Sequence, residues 1–269
     1  MKKSLLIVAF LLTLNIGLLS SIWRVSGEFE LHMLNIGQGD AILLVTPDEH
    51  HILVDGGPGR SVLMELAATV PYLFNEIDLL VLTHPHLDHM EGLVEVLKRF
   101  EVKAVLMGFP DYESEVNMAF LQELDVPIYV AEAGRDFVFG EVFLDVLYPF
   151  EPISGEMENV NNASPVIMVH FGDERILLTG DAEHEVEEKL LAAGVDLRAD
   201  ILKAGHHGSR TSSTLEFLEA VGPEIMLISA GEDNSYGHPH EETLQKAAEL
   251  GIEVRRTDLE GRISLYFSP

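Results

Sequence analysis

An uninterrupted apolar run, Leu79-Leu80-Val81-Leu82, leads straight into Thr83-His84-Pro85-His86-Leu87-Asp88-His89. No other stretch constrains the fold as strongly. A short run without polar alternation is a strand covered on both faces, so the chain must build a sheet with packed layers above and below it. Three imidazoles and a carboxylate then leave the end of that strand within six residues. Side chains two apart on extended chain point the same way, so His84 and His86 serve one point. Asp88 and His89 come after the chain has turned and serve a neighbouring one. Burying so many titratable groups uncompensated is costly, whereas Zn²⁺ or a similar ion accepts this donor set.

The same construction recurs. Leu177-Leu178-Thr179-Gly180-Asp181 ends an apolar strand in a carboxylate, and Ile201-Leu202-Lys203-Ala204-Gly205-His206-His207-Gly208-Ser209 ends one in two histidines. Alone, Asp181 reads as a helix N-cap; beside the histidine windows it is a candidate to bridge two ions. His206 leaves its strand first and is expected to be the ligand, with His207 orienting another ligand. Tyr236-Gly237-His238-Pro239-His240, preceded by Asn234, offers substrate contacts or a proton for a leaving group. Ser209, Ser212 and Ser213 read as loop and cap residues rather than nucleophiles.

Around these windows the pattern predicts strands over 30–36, 41–46 and 51–54, a helix over 61–74, a strand over 78–82, a helix over 91–99 and a strand over 104–107. A helix over 113–124, extended chain over 127–130 and a hairpin over 137–139 and 142–148 follow. The segment 151–162, rich in Pro, Gly, Glu and Asn, is a loop. Beyond it lie strands over 166–170 and 175–178. Helices over 183–192, 213–221 and 241–250 then alternate with strands over 200–203, 225–229 and 253–255, and a strand over 263–267 closes the chain. Two halves of similar make-up meeting near 150–162 imply two sheets packed together with helices outside.

Charge limits the partners. Acidic residues outnumber Lys and Arg by 45 to 17, so a basic groove tracking a long phosphate backbone is excluded. A small molecule or a single strand contacted only at bound metals is compatible. The absence of cysteine excludes a disulfide scaffold, a Cys-based zinc finger, an iron–sulfur cluster and a cysteine nucleophile. Lys2 and Lys3 precede an uncharged, mostly apolar stretch from Ser4 to Trp23. Residues 1–27 therefore read as a signal peptide or an N-terminal membrane anchor, which puts one domain, 28–269, outside the cytoplasm, either secreted or tethered.

In motif order the chain resembles the metallo-β-lactamase superfamily, whose His-x-His-x-Asp-His signature is matched at 84–89. Within it the chain is similar to the hydrolase domain of ComEC-type DNA-uptake proteins. The matching pieces are Asn35–Asp40, Leu53–Gly57, Thr83–His89, Thr179–Ala182, Lys203–Ser209 and Tyr236–His240. The resemblance implies a four-layer αβ/βα sandwich with two divalent ions at one edge, Zn²⁺ expected. His84 and His86 would hold the first ion; Asp88, His89 and His206 the second; Asp181 would bridge them. Asp55 would support the metal loops, and Asp40 and Asn162 are placed with it.

One departure stands out: the histidine that usually completes the first site is missing. His170 is the only histidine in that interval and lies inside a strand, and Asn161-Asn162-Ala163-Ser164 occupies the expected place. The first site should therefore bind weakly, take Mn²⁺ in place of Zn²⁺, or fill only with substrate.

The expected chemistry is metal-assisted hydrolysis with a hydroxide held between the ions as nucleophile and Asp88 orienting it. His207, His238 or His240 would neutralise charge or protonate the leaving group. The resemblance implies phosphodiester bonds. Another ester, a thioester or a lactam is the alternative substrate, and a non-catalytic metal-binding interaction module is the alternative role.

Overall fold

Along the central strands, successive apolar side chains alternate between two different cores, which builds the layers. A computed structural model describes residues 27–70, 75–109, 112–155 and 157–269. Leu79 and Val81 point between two sheets, where they meet Ile167, Val169, Ile176 and Leu178. Leu80 and Leu82 point outward, under Met90 and Leu93 of a covering helix. On the other side, Leu177 and Leu202 point outward under Val186, Leu190 and Phe217. Each fully buried Leu, Ile, Val, Phe or Met contributes about 1.5–3 kcal/mol, so three stacked apolar layers hold the four structural layers together.

The first sheet runs β16 (Ile263–Phe267), β1 (Phe29–Met33), β2 (Ile42–Val45), β3 (His51–Val54), β5 (Leu79–Leu82), β7 (Val105–Met107), β8 (Ile128–Val130). The second runs β15 (Glu253–Arg256), β14 (Ile225–Ile228), β13 (Ile201–Lys203), β12 (Glu174–Leu178), β11 (Val166–Phe171), β10 (Val142–Tyr148), β9 (Phe137–Phe139). A two-stranded pair, β4 (Glu76–Ile77) and β6 (Glu101–Val102), stands apart. Helices α1 (Ser61–Thr69), α2 (Leu87–Leu97) and α3 (Glu115–Gln122) cover the first sheet. Helices α4 (His184–Ala193), α5 (Leu215–Val221) and α6 (Glu241–Leu250) cover the second, and a short α7 (Thr257–Glu260) precedes β16.

This is the expected mixed α/β sandwich. Of the segment read as a signal or anchor, residues 1–26 lie outside the described residues. Among the described residues no helix is long and apolar enough to cross a membrane.

Strands β3, β5 and β7 are parallel, as are β12, β13 and β14. Their carboxyl ends open on one edge, where ligands gather in open α/β sheets. One boundary differs from expectation in a way that matters. The helix expected from 91 begins at Leu87, so Asp88 and His89 sit in its first turn, and the acidic Asp88 suits the positive helix end. Docking of that helix start on Asp55-Gly56-Gly57 explains the shift. The Gly56 N–H donates to the His89 carbonyl at 2.8 Å and the Gly92 N–H to the Gly57 carbonyl at 2.9 Å. Only glycine fits at 92, since a Cβ there would lie 2.0 Å from the Gly56 carbonyl oxygen.

Candidate metal centre

Asp181 follows β12, and its Oδ2 is ringed by imidazole nitrogens. The Nε2 atoms of His89, His207, His206 and His84 lie 3.2, 3.3, 3.8 and 3.9 Å away. Asp88 Oδ2 is 3.5 Å from His207 Nε2 and 4.0 Å from His89 Nε2. Ligands about 2.0–2.1 Å from a tetrahedral ion stand about 3.3–3.4 Å from one another, so Asp88, His89, Asp181 and His207, with donor atoms 3.2–4.0 Å apart, gather near the spacing of a coordination shell. His84 Nε2 and His86 Nδ1 face each other at 3.0 Å to one side.

Chain order suggested His206 as the ligand and His207 as the residue orienting another ligand; in the structure both face Asp181 Oδ2, and His207 is the nearer and more deeply buried. His206 and His207 are consecutive left-handed residues, with φ of 48° and 55°, a conformation uncommon outside glycine and enriched at functional sites. The double twist turns His207 inward among Asp88, His89 and Asp181 and leaves His206 on the rim, a quarter exposed.

The surroundings aim the ring nitrogens. His89 Nδ1 donates to Asp55 Oδ2 at 2.8 Å, which turns Nε2 inward. His207 Nδ1 donates to the Ser229 carbonyl at 3.1 Å, with the same result. Thr83 Oγ1 gives its proton to Asp55 Oδ2 and stands 3.1 Å from His84 Nδ1, so His84 keeps a lone pair on Nε2. Oriented imidazoles of this kind are the usual support of a metal site. The Nε2 atoms of His89 and His207 are buried and have no hydrogen-bond partner, as vacant donor positions should be. The chain's own residues thus fit a divalent ion, with a second point at His84 and His86 sharing Asp181.

Electrostatics agree. Burial would lower the pKa of His89, but the carboxylates of Asp181 and Asp55 raise it to about 10, so without an ion its Nε2 holds a proton that a bound ion displaces. Burial likewise opposes a charge on His207, yet Asp181 and Asp40 raise it well above the ordinary value. Burial would raise the Asp88 carboxyl, whereas the facing imidazoles of His207 and His89 bring it down to about 2. The pocket draws positive charge onto itself.

Asp40 belongs to the turn between β1 and β2. Its backbone N–H donates to the Asp88 carbonyl, and its carboxylate pairs with Lys203 and faces His207 Nδ1 at 3.3 Å. Lys203 was not singled out from sequence. It is fully buried, donates to the Gly180 carbonyl at 2.7 Å and lies 3.5 Å from Asp181 Oδ1. Its signal was a lysine closing an apolar strand, since a buried ammonium requires carboxylate partners.

Asn162 accepts from the Glu183 N–H and donates to Glu185, bracing the start of α4. His238 is buried and its pKa falls to about 4, through burial and the facing imidazoles of His207, His206 and His240. His240 Nδ1 accepts from the Arg210 N–H at 3.1 Å, so a neutral His240 carries its own proton on Nε2. His170 lies in β11, stacked on Phe143 at 5.6 Å. The centre opens into a cavity of about 720 Å³, bordered by Gln38, Asn161, Arg210, Thr211 and Tyr236 as well as the histidines.

Comparison with known proteins fits this geometry. Residues 34–232 match the model of the metallo-beta-lactamase superfamily. The chain is 32% identical over 262 residues to "ComE operon protein 3" of Bacillus subtilis, covering 90% of this chain and 33% of the relative. It is 32% identical over 243 residues to "Competence protein ComA" of Neisseria gonorrhoeae, covering 88% of this chain and 32% of the relative. The chain thus spans about a third of the length of these relatives. The solved metallo-beta-lactamase fold protein YhfI of Bacillus subtilis superposes with a TM-score of 0.59 at 13% identity, covering 89% of this chain and 99% of that one. With the fold, the motif at 84–89 and the clustered donors in agreement, the chain belongs to the metallo-beta-lactamase superfamily, on the side of its competence-protein relatives.

Proposed function

We propose that this chain is an exported, metal-dependent phosphodiesterase acting on a small phosphodiester or a single strand of nucleic acid. The observation that carries the reading is the convergence of His89 Nε2 and His207 Nε2, both buried and unpaired, on Asp181 Oδ2 at the floor of an open cavity.

Substrate charge is inferred from the cavity wall. In a chain of net charge −28, the carboxylates bordering this cavity are Asp88 and Asp181, both at the proposed ions. The rest of the wall offers Gln38, Asn161, Ser209, Arg210, Thr211 and imidazoles, which are donors suited to phosphate oxygens. Tyr236, 65% exposed, lies parallel to His238 with ring centroids 5.8 Å apart, and such a shelf accepts a nucleobase.

His84, His86 and Asp181 would hold one ion; Asp88, His89, His207 and Asp181 the other. When bound, such a pair supplies Lewis acidity toward a phosphoryl oxygen and lowers the pKa of water to about 7. Asp88 and Asp181 orient the reacting groups. Arg210 neutralises a non-bridging oxygen, and His240 presents its Nε2 proton toward the leaving oxygen. His206, braced by Glu183 Oε1 at 3.1 Å, presents Nε2 toward the cavity.

The test is turnover by the metal-loaded protein of bis-p-nitrophenyl phosphate and a single-stranded oligonucleotide, beside a lactam and a thioester. Phosphodiester cleavage lost in His207→Ala is expected. Lactam or thioester turnover without phosphodiester cleavage would reassign the substrate, and full metal loading with no turnover at all would make the chain a binding module.

A further inference from the structure

The turn over 160–163 stands where the resemblance calls for a histidine and has none. Asn161, at its centre, is 6% exposed and borders the cavity. Its Nδ2 donates to Glu183 Oε1 at 2.8 Å. A carboxylate only accepts, so this contact fixes which side of the amide is nitrogen. The same Nδ2 lies 3.4 Å from His206 Nδ1. The amide oxygen Oδ1 is therefore directed away from Glu183. It is buried and no hydrogen-bond donor reaches it, a state that costs free energy unless something else binds there.

The turn continues directly onto the first ion's side of the centre. Ser164 Oγ accepts from the Asp181 N–H at 3.0 Å and stands 3.3 Å from His84 Nδ1. The Asp181 backbone and the His84 ring are thus held by Ser164, the residue that directly follows the turn carrying the orphaned oxygen.

We propose that Asn161 Oδ1 is an oxygen ligand of the first ion, in place of the missing imidazole. This rests on the two-ion reading above. It gives the first point two imidazoles, the shared carboxylate and an amide oxygen. The second point keeps two imidazoles, a carboxylate of its own and the shared one. Replacing an imidazole by a carbonyl hardens the donor set, so the first point favours Mn²⁺ over Zn²⁺ more than its neighbour does.

The test is calorimetric titration of the chelator-stripped full chain with Mn²⁺ and, separately, with Zn²⁺. Stoichiometry and affinity are read for wild type and three variants, with metal-free melting curves as the folding control. Wild type should take up two ions with resolvable affinities. Asn161→Leu should weaken the first ion at least tenfold for Mn²⁺ and leave the second unchanged. Asn161→Asp keeps an oxygen, adds a charge and loses the donor to Glu183, and should bind Mn²⁺ at the first point at least as tightly as wild type. Asn161→His should shift the first point toward Zn²⁺ by tenfold or more.

Had Asn161 served only to hold Glu183 and His206, Asp would do as much harm as Leu, because it repels Glu183. The proposal is overturned if Asn161→Leu binds both ions with wild-type affinity, or if Asn161→Asp is as weak as Asn161→Leu. Should Asn161→Leu fail to fold, the Asp and His variants decide it alone. A wild-type chain that binds no ion at either point removes the two-ion reading as well, a result distinct from loss confined to the first point.

Discussion

Replacing Asp55 by Asn changes one oxygen to an amino group at nearly constant volume, and the hydrogen bonds determine the consequence. Asp55 Oδ1 accepts from the Thr83 N–H at 2.8 Å; Oδ2 accepts from Thr83 Oγ1 at 2.7 Å and from His89 Nδ1 at 2.8 Å. An amide offers only one acceptor oxygen. If that oxygen stays on the Thr83 N–H, the amino group faces His89, which must move its proton from Nδ1 to Nε2. That atom faces Asp181 at 3.2 Å, and once protonated it cannot ligate. If the amide flips, its amino group opposes the Thr83 N–H, and an unpaired buried donor costs about 1–3 kcal/mol. The backbone at 55 is left-handed, φ 59°, which Asn tolerates as well as Asp, so the fold survives. Loss of such a supporting partner costs about 10–100-fold in metal affinity, or about 1.4–2.7 kcal/mol. Ion-induced stabilisation falls by the same amount when the ion is in excess, roughly 3–6 °C of Tm for each tenfold loss in a domain of this size. The assay is melting of wild type and Asp55→Asn in chelator and in excess Zn²⁺ or Mn²⁺. The variant should lose at least that much of the ion-induced gain. An undiminished gain, or a deficit equal with and without metal, would refute the claim that Asp55 acts by fixing the His89 tautomer.

Alanine at each of the paired histidines tests which of the two ligates. His207→Ala should remove one ion and reduce turnover by about 10³-fold or more, the scale of losing one key catalytic group; His206→Ala should keep that ion. The opposite pattern, read by metal content after desalting, restores chain order as the guide. Tyr236→Ala should raise KM for a single-stranded oligonucleotide by roughly tenfold, as stacking contributes about 1–3 kcal/mol per base, while Tyr236→Phe stays near wild type; equal KM values for the two variants reject the shelf. A pH effect arises far from the centre. Burial, only partly offset by Asp78, lowers the pKa of His51 from 6.5 to about 4, and the side chain is 7% exposed. The unfolded chain takes up this proton first, so the contribution is whole above about pH 6.5 and erodes as pH falls toward 4. The loss is about 3 kcal/mol at 1.36 kcal/mol per unit. Urea denaturation at pH 7.5 and 4.5 should show His51→Phe escaping that share, and a wild-type-minus-variant difference that does not change with pH would contradict it.

Strand periodicity made most of the fold legible. The hairpin of β9 and β10 and strands β3 and β16 have the expected boundaries, because β10 alternates buried with half-buried positions, the others are short runs rich in apolar residues, and turn residues bound them. The start of α2 was not legible. His86-Leu87-Asp88-His89 has no helical apolar period, and the helix begins there because its start docks on Gly56 and Gly57, 33 and 35 residues before their partners His89 and Gly92. Tertiary contact, not local pattern, sets that boundary, and it places Asp88 and His89 on one rigid turn.

At the site, donor type was legible and donor direction was not. A carboxylate or imidazole closing an apolar strand announces itself in one sequence, because burying it requires a partner. Whether His206 or His207 turns inward depends on two φ angles of 48° and 55°, which residue identity does not encode. The same blindness hid Lys203. Its ammonium is fully buried, paired with Asp40 and 3.5 Å from Asp181, groups that lie 163 and 22 residues away in the chain. Asp40, Asp55, Asp88 and Asp181 crowd one edge of the sandwich against this buried lysine. Burial and like-charge repulsion would drive protons onto some of these carboxylates if nothing else offset them. Instead the structure surrounds them with imidazoles whose free nitrogens face inward, leaving a charge deficit at the one place where two divalent ions would complete it.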